Sequence, residues 1–303
     1  MKKLSQNQAK VIVILGPTAS GKSSVAIGLA QKFDGEIISA DSRQIYRGME
    51  IGSGRVTPEE EKMAPHHLLG IINPEDDFSV AKFKKIAEEK IKEILARNHL
   101  PIICGGTGFW IQSVVDDIVY PEVKPDWELR NQLRNQSLEE LLAELKKRDP
   151  QRVKTVDTKN KVRLIRAIEI CQTLGKVPKV KNKKNSKYEF LEIGIARDKE
   201  ELHERIKLNV ENRLKAGMIA EVEKLKGSGL DWKKIESFGL SFKLIPQFLR
   251  GEIKTEEELA EKIYLAEKNY AKRQITWFKR NKKIKWLKNY SEIKKEVKKF
   301  LEK

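Results

Sequence analysis

One short run of residues carries much of the chemical information in this chain. Gly16-Pro17-Thr18-Ala19-Ser20-Gly21-Lys22-Ser23 fits the pattern GxxxxGK[ST] at every fixed position. Glycines let such a loop curl until its backbone N–H groups point inward at a phosphate, and the N-terminus of the next helix adds partial positive charge. Lys22 has the reach for a terminal phosphate, and Ser23 is the expected Mg²⁺ ligand. The loop binds a phosphate chain without saying whose. A nucleotide hydrolase also needs an acidic residue at a strand end. Residues 100–104 run instead into Gly105-Gly106-Thr107-Gly108. Residues 36–39 do lead to an acid, Asp41. Strand carboxyl ends line the ligand crevice of a doubly wound sheet. Asp41 is therefore expected near the phosphate site, as a Mg²⁺ holder, a general base or a turn cap.

Particular elements must hold these residues in place. Residues 11–15, VIVIL, end at Gly16-Pro17 and have the β-branched pattern of a buried strand. A helix is expected from 22 to about 33. Residues 36–39 and 100–104 read as two more strands. Between them, residues 78–97 carry apolar side chains at helical spacing, among them Val80, Phe83, Ala87, Ile91 and Ile94, with Ser79 as cap. A short helix from about 108 to 115 follows. Strand, turn and helix in repetition specify an α/β fold: a parallel sheet with helices on both faces. The pattern changes near 119. Residues 120–125 hold two prolines and read as a linker. Residues 126–176 are helical and highly charged, and 177–187 form a lysine-rich loop. Residues 190–196 restore the strand pattern. The expectation is a core of 1–119 plus 188–303 with an all-helical insertion at 120–187. A long helix over 199–226, another over 255–279 and a short strand at 284–287 complete the core.

The length of 303 residues fits about two domains. With 39% hydrophobic residues the chain has enough apolar matter for a core, which excludes a wholly disordered protein. No uncharged apolar stretch approaches the ~18 residues of a membrane span. Residues 11–15 are too short for a secretory leader. Cys104 and Cys171 have no CxxC spacing and no clustered histidines, so neither a disulfide framework nor a zinc site is expected. The net charge of +17 is concentrated: residues 146–187 carry 15 basic and 3 acidic side chains, and residues 272–303 carry 13 and 3. Two basic blocks on a mildly acidic body point to a polyanionic partner, most simply nucleic acid.

Further blocks identify a family. Asp41-Ser42-Arg43-Gln44-Ile45-Tyr46-Arg47-Gly48-Met49 closely resembles the segment after the second strand of bacterial tRNA dimethylallyltransferases, or tRNA isopentenyltransferases. The phosphate loop resembles theirs too. So do Ala64-Pro65-His66-His67-Leu68-Leu69, Phe78-Ser79-Val80-Ala81-Lys82-Phe83, Gly105-Gly106-Thr107-Gly108 and Ala271-Lys272-Arg273-Gln274-Ile275-Thr276-Trp277-Phe278. The blocks follow the family order from residue 11 to about 287. Two segments depart from it. Where the family has Gly-Tyr-Arg or Gly-Tyr-Lys, this chain reads Ser237-Phe238-Gly239-Leu240-Ser241-Phe242, without the tyrosine and the base. Where Ile-Gly-Thr-Ala-Lys-Pro is common, it has Ile51-Gly52-Ser53-Gly54-Arg55-Val56.

The resemblance implies a P-loop NTPase-like sheet with a helical, tRNA-gripping insertion. It implies transfer of a dimethylallyl group from dimethylallyl diphosphate to N6 of the adenosine at position 37, just 3′ of the tRNA anticodon. Residues Gly16 to Ser23 would then hold a diphosphate rather than a nucleotide, with Mg²⁺ on Ser23. Asp41 would take the N6 proton, since an exocyclic amine is a weak nucleophile and a placed carboxylate helps it. Thr107 resembles the family threonine near the substrate adenosine. The implied contacts with the tRNA anticodon stem-loop are Asp41, Ser42, Arg43, Gln44, Thr107, Arg130, Val162-Arg163-Leu164-Ile165-Arg166 and Lys272-Arg273-Gln274. Arg273 and Gln274 have the groups to read base edges. Trp277 is expected in the core, and His66 and His67 as packing or hydrogen-bonding residues. The expected setting is a cytoplasmic monomer with no membrane partner. The alternatives are a small-molecule P-loop kinase, which leaves the basic blocks unexplained, and a non-catalytic RNA-binding protein, which leaves Asp41 and Thr107 without a purpose.

Overall fold

The computed structural model describes residues 8–178 and 185–303. Its strands are β1 (Ala9–Leu15), β2 (Gly35–Ser39), β3 (His66–His67), β4 (Leu100–Gly105), β5 (Tyr188–Ile195) and β6 (Lys285–Leu287). They form one sheet in the order β3-β2-β4-β1-β5-β6, and every pairing is parallel. β1 lies between β4 and β5, with Val13 opposite both Ile103 and Glu192. Val11 to Leu15 are fully buried. A central parallel strand is covered on both faces, so its sequence is a continuous apolar run rather than an alternation.

The helices of the core are α1 (Lys22–Phe33), α2 (Pro58–Met63), α3 (Val80–Ala96) and α4 (Gly108–Val115). Within the insertion come α5 (Trp127–Arg134), α6 (Leu138–Arg148), α7 (Pro150–Val153) and α8 (Lys161–Leu174). The core resumes with α9 (Lys199–Lys215), α10 (Met218–Gly227), α11 (Trp232–Ser237), α12 (Ser241–Leu249), α13 (Glu256–Phe278) and α14 (Tyr290–Leu301). Helices cover both sides of the sheet. Phe83 and Ile91 of α3, Trp110 of α4 and Ile263 of α13 belong to one apolar cluster. Ile27 and Leu29 of α1 pack with Ile293 and Val297 of α14 in another. Side-chain caps start several helices: Ser79, the expected cap, accepts from the Lys82 N–H, and Thr255 accepts from that of Glu258.

The expected parallel sheet is present. Edge strand β3 and helices α2, α11, α12 and α14 were not foreseen, since each is short or strongly charged. The single helix expected over 199–226 is two, α9 and α10. Gly217 parts them at φ 97°, in the left-handed region where glycine costs least.

The chain divides into two compact units, Met1–Asp117 with Lys184–Lys303, and Ile118–Lys183. The second is all-helical in its described residues. Its core is Leu133, Leu141, Leu145, Leu164, Ile168 and Cys171. Most of the lysine-rich loop expected over 177–187 lies outside the described residues.

Candidate active site

β1 ends at Leu15, the glycine loop turns, and α1 begins at Lys22. The loop and the first turn of α1 therefore border one cavity, although the Thr18 and Ser20 N–H groups are already spent inside the protein, on Gln274 and on the Pro17 carbonyl. Among the described residues no hydrogen bond or ion pair engages Lys22 Nζ or Ser23 Oγ. Both line a cavity of about 520 Å³, with Asp41, Ser42, Arg43 and Gln44 from the segment after β2. The sequence motif and the acid thus meet in one pocket, as the strand-end rule requires. Arg205 and Arg273 add positive charge to its lining; Val56, Phe238, Leu240 and Phe242 add apolar surface.

Asp41 is both a cap and an open carboxylate. Its Oδ1 accepts from the N–H groups of Arg43 (2.9 Å) and Gln44 (3.4 Å), which fixes the turn. Its Oδ2 has no hydrogen-bond partner among the described residues. The first arrangement holds the second oxygen in a constant orientation. Thr107 does not line the cavity; it stands behind Ser42. Thr107 Oγ1 accepts from the Ser42 N–H at 3.1 Å and lies 3.4 Å from Ser42 Oγ. Gln44 accepts from Ser39 Oγ and donates to the Gly54 carbonyl. Arg43 donates to the Phe238 carbonyl and to Ser42. At the end of β4, burial pushes the Cys104 thiol up to about 11, so it remains a protonated thiol.

Several residues that sequence reasoning missed support this pocket. Arg205 of α9 donates to the Ala19 carbonyl at 2.8 Å, and Arg197 donates to that of Ser20 at 3.0 Å. Tyr270 of α13 also lines the cavity. Burial, then the charge of Asp41, push its hydroxyl up to about 12, against smaller opposing effects of Arg43 and of a hydrogen bond with Thr107. It stays a protonated hydroxyl at neutral pH. The two segments that depart from the family pattern meet at Gly52. Its N–H donates to Glu221, and its carbonyl accepts from Arg213 and from Ser241 Oγ. Arg213 also pairs with buried Glu267 of α13. One signal was available in the sequence. Glu267, Tyr270 and Gln274 are spaced three and four apart, so they share one face of α13.

Two expectations for RNA contact need correction. Gln274 is 5% exposed. Its amide is spent on backbone groups inside the protein, the Thr18 N–H and the Gly106 carbonyl. It is not placed to read a base edge, whereas Lys272 and Arg273 are exposed. Trp277 packs against the core, as expected.

In the helical unit, Leu164 and Ile165 are buried in its core, so their side chains cannot meet RNA. A helix with one buried face cannot present five successive side chains outward. Val162 is 76% exposed, and Arg163 is exposed beside Asp157. Arg130 and Arg166 both bind Glu169, which is 1% exposed. Arg130 does so through two hydrogen bonds of 2.7 and 2.8 Å. Burial alone would raise the Glu169 carboxyl; the two arginines together with the Asp126 N–H outweigh it and hold it below the usual range. His67 and His66 are hydrogen-bonding residues: His67 meets Glu36 Oε2 at 2.6 Å, and His66 meets the Ala64 carbonyl at 2.8 Å.

Among the described residues no helix is long and apolar enough to cross a membrane, and no cluster of three or more His, Cys, Asp or Glu side chains could by itself hold a metal ion.

The IPP transferase family model matches residues 44–281. A tRNA dimethylallyltransferase of Acetivibrio thermocellus is 40% identical over 285 residues, 91% of each chain. One from Halothermothrix orenii is 38% identical, over 99% of this chain and 96% of its own. Among solved structures, a tRNA delta(2)-isopentenylpyrophosphate transferase of Staphylococcus epidermidis superposes with a TM-score of 0.71 at 34% identity. The match covers 97% of this chain and 99% of that one. A eukaryotic dimethylallyltransferase acting on tRNA gives a TM-score of 0.76 at 25% identity, covering 89% of this chain and 70% of that one. With matches of this extent in both sequence and structure, the chain belongs to the IPP transferase family.

Proposed function

We propose that this protein transfers a dimethylallyl group from dimethylallyl diphosphate to N6 of adenosine 37 in tRNA, giving N6-isopentenyladenosine and diphosphate. The observation that carries this reading is one cavity holding both an anion-binding loop and a carboxylate with an open oxygen. The glycine loop and Lys22 take the diphosphate. The apolar wall of Val56, Phe238, Leu240 and Phe242 takes the prenyl chain. The target base leaves its stack to reach the pocket, as it must for chemistry on a base edge. N6 attacks C1 of the prenyl group, the C1–O bond breaks, and its electron pair leaves on diphosphate. Asp41 Oδ2 takes the N6 proton. Charge grows on the leaving group during the reaction, so Lys22 and the loop amides act most strongly at the transition state.

Mg²⁺ suits the residues present. Ser23 Oγ opens on the same cavity as Asp41, and Mg²⁺ in phosphate sites takes one or two protein oxygens with the rest from phosphate and water. Ser23 would hold the ion, which would neutralise diphosphate charge.

RNA contact is assigned to exposed cations: Arg273 and Lys272 in the core, Arg163 in the helical unit. Ser42, Arg43 and Gln44 shape the pocket edge that meets the base. The test is direct. Protein, unmodified tRNA, Mg²⁺ and labelled dimethylallyl diphosphate are mixed, and the RNA is digested to nucleosides. Label in N6-isopentenyladenosine is expected. Phosphorylation from ATP with no prenyl transfer would favour a kinase instead.

A further inference from the structure

Gln274 is the one buried amide of α13 that touches two strand-end loops at once. Its Oε1 accepts from the Thr18 N–H at 2.9 Å, in the phosphate loop after β1. Its Nε2 donates to the Gly106 carbonyl at 2.9 Å, in the glycine loop after β4. The orientation of the amide is not a matter of choice. A backbone N–H can only donate and a carbonyl can only accept, so one orientation satisfies both. Gly106 lies so close that a Cβ there would collide with Nε2. The next residue is Thr107, which holds Ser42 beside Asp41.

From this geometry we infer that Gln274 is a positioning residue for the transfer reaction. It fixes the loop that binds the leaving group against the strand end that orients the acceptor side. The inference rests on the prenyl-transfer reading. Its physical basis is that a displacement needs the nucleophile, the attacked carbon and the leaving group in line, and a shift of about 1 Å costs about 10²-fold in rate. The clip also consumes one loop amide, Thr18 N–H, which sets the curl of the amides that remain. Lys272 and Arg273 are exposed on the same helix, Arg273 lying over the Tyr270 ring, and are the neighbours within reach of RNA.

Two variants separate this role from others. Gln274→Leu keeps the size and leaves both backbone groups unpaired. Gln274→Glu keeps an acceptor for the Thr18 N–H and sets a carboxylate against the Gly106 carbonyl. For Gln274→Leu, affinity for inorganic diphosphate with Mg²⁺, measured by calorimetry, should fall about tenfold. Its single-turnover prenyl transfer should fall about 10²-fold. Affinity for tRNA without donor should stay within about twofold of wild type. For Gln274→Glu, the carboxylate set beside the phosphate loop should lower diphosphate affinity at least as far as leucine does while tRNA affinity again stays within about twofold, a split that general unfolding cannot give. Reduced tRNA affinity with unchanged diphosphate affinity and rate would overturn the inference and make Gln274 a base reader. Equal losses of diphosphate and tRNA binding in both variants would also overturn it, in favour of a purely structural role. The diphosphate measurement needs no prenyl transfer, so it tests the clip even where wild-type protein fails the transfer assay.

Discussion

Charged side chains behave differently in the two units of this protein. In the core, Lys22 and the Oδ2 of Asp41 have no protein partner among the described residues and open on a cavity. In the helical unit, Arg130 and Arg166 are turned onto buried Glu169. A charge that serves a ligand must keep its hydrogen-bonding capacity in reserve. A charge that serves the fold spends it at once, because an unpaired buried ion is costly. Residue type does not distinguish these uses; only the partners do. The helical unit therefore carries Arg130 and Arg166 largely as architecture, and under the proposed function its RNA contacts fall to exposed residues such as Arg163.

The largest effect should come from removing an uncommitted core charge. Lys22→Ala should lower kcat/KM for the prenyl donor about 10³-fold, a size typical for losing one preorganised stabiliser of leaving-group charge. Filter binding of tRNA without donor should be unchanged. Equal loss of tRNA binding would break the contrast between the units, by making Lys22 an RNA contact as well.

Next in size is Glu169→Ala. It strands two arginines and should cost about 3 kcal/mol of stability in the helical unit. A chemical-denaturation curve measures this. A change below about 0.5 kcal/mol would mean that the network is ornamental and its arginines are free for RNA.

The core has its own committed carboxylate. Glu36 binds Arg97 through two hydrogen bonds and accepts from His67 and His99. The Arg97 hydrogen bond outweighs burial, and with the histidines it holds the carboxyl down at about 2, from an ordinary 4.5. A depressed folded pKa gives stability that is full above about pH 4.5 and lost as pH falls toward 2. Denaturation midpoints across that window should fall in the wild type, and the part due to this group should vanish in Glu36→Gln. An identical acid profile in both proteins would remove Glu36 from the account.

The smallest effect is expected at an exposed charge. Arg163→Ala should weaken tRNA binding a few-fold and flatten the slope of log affinity against log salt by about one unit, with stability unchanged. An unchanged slope would show that Arg163 meets no phosphate.

Much of the core was legible in the sequence because its signals are local. The VIVIL run, the glycine loop and the spacing of Val80 to Leu95 each fix a conformation within a few residues. Asp41 was legible because strand ends in such sheets converge. The roles of Gln274, Tyr270, Arg205 and Glu169 were not. Each depends on a partner far away in the chain, such as Gln274 on Thr18, and no local pattern encodes that pairing. The helical segment was legible as helix, but not which of residues 162–166 faces inward. Leu164 and Ile165 are buried because their face of α8 meets α6, and that register emerges only on packing.

In the proposed reaction Asp41 takes the N6 proton in the pocket where the glycine loop holds the diphosphate. Single-turnover prenyl transfer by Asp41→Asn at saturating tRNA and donor tests it most directly, with tRNA affinity measured alongside. Asparagine keeps the turn through its own oxygen but is no base. The expected rate is lower by about 10²–10⁴-fold, with tRNA affinity nearly intact. A single-turnover rate near that of wild type would contradict it.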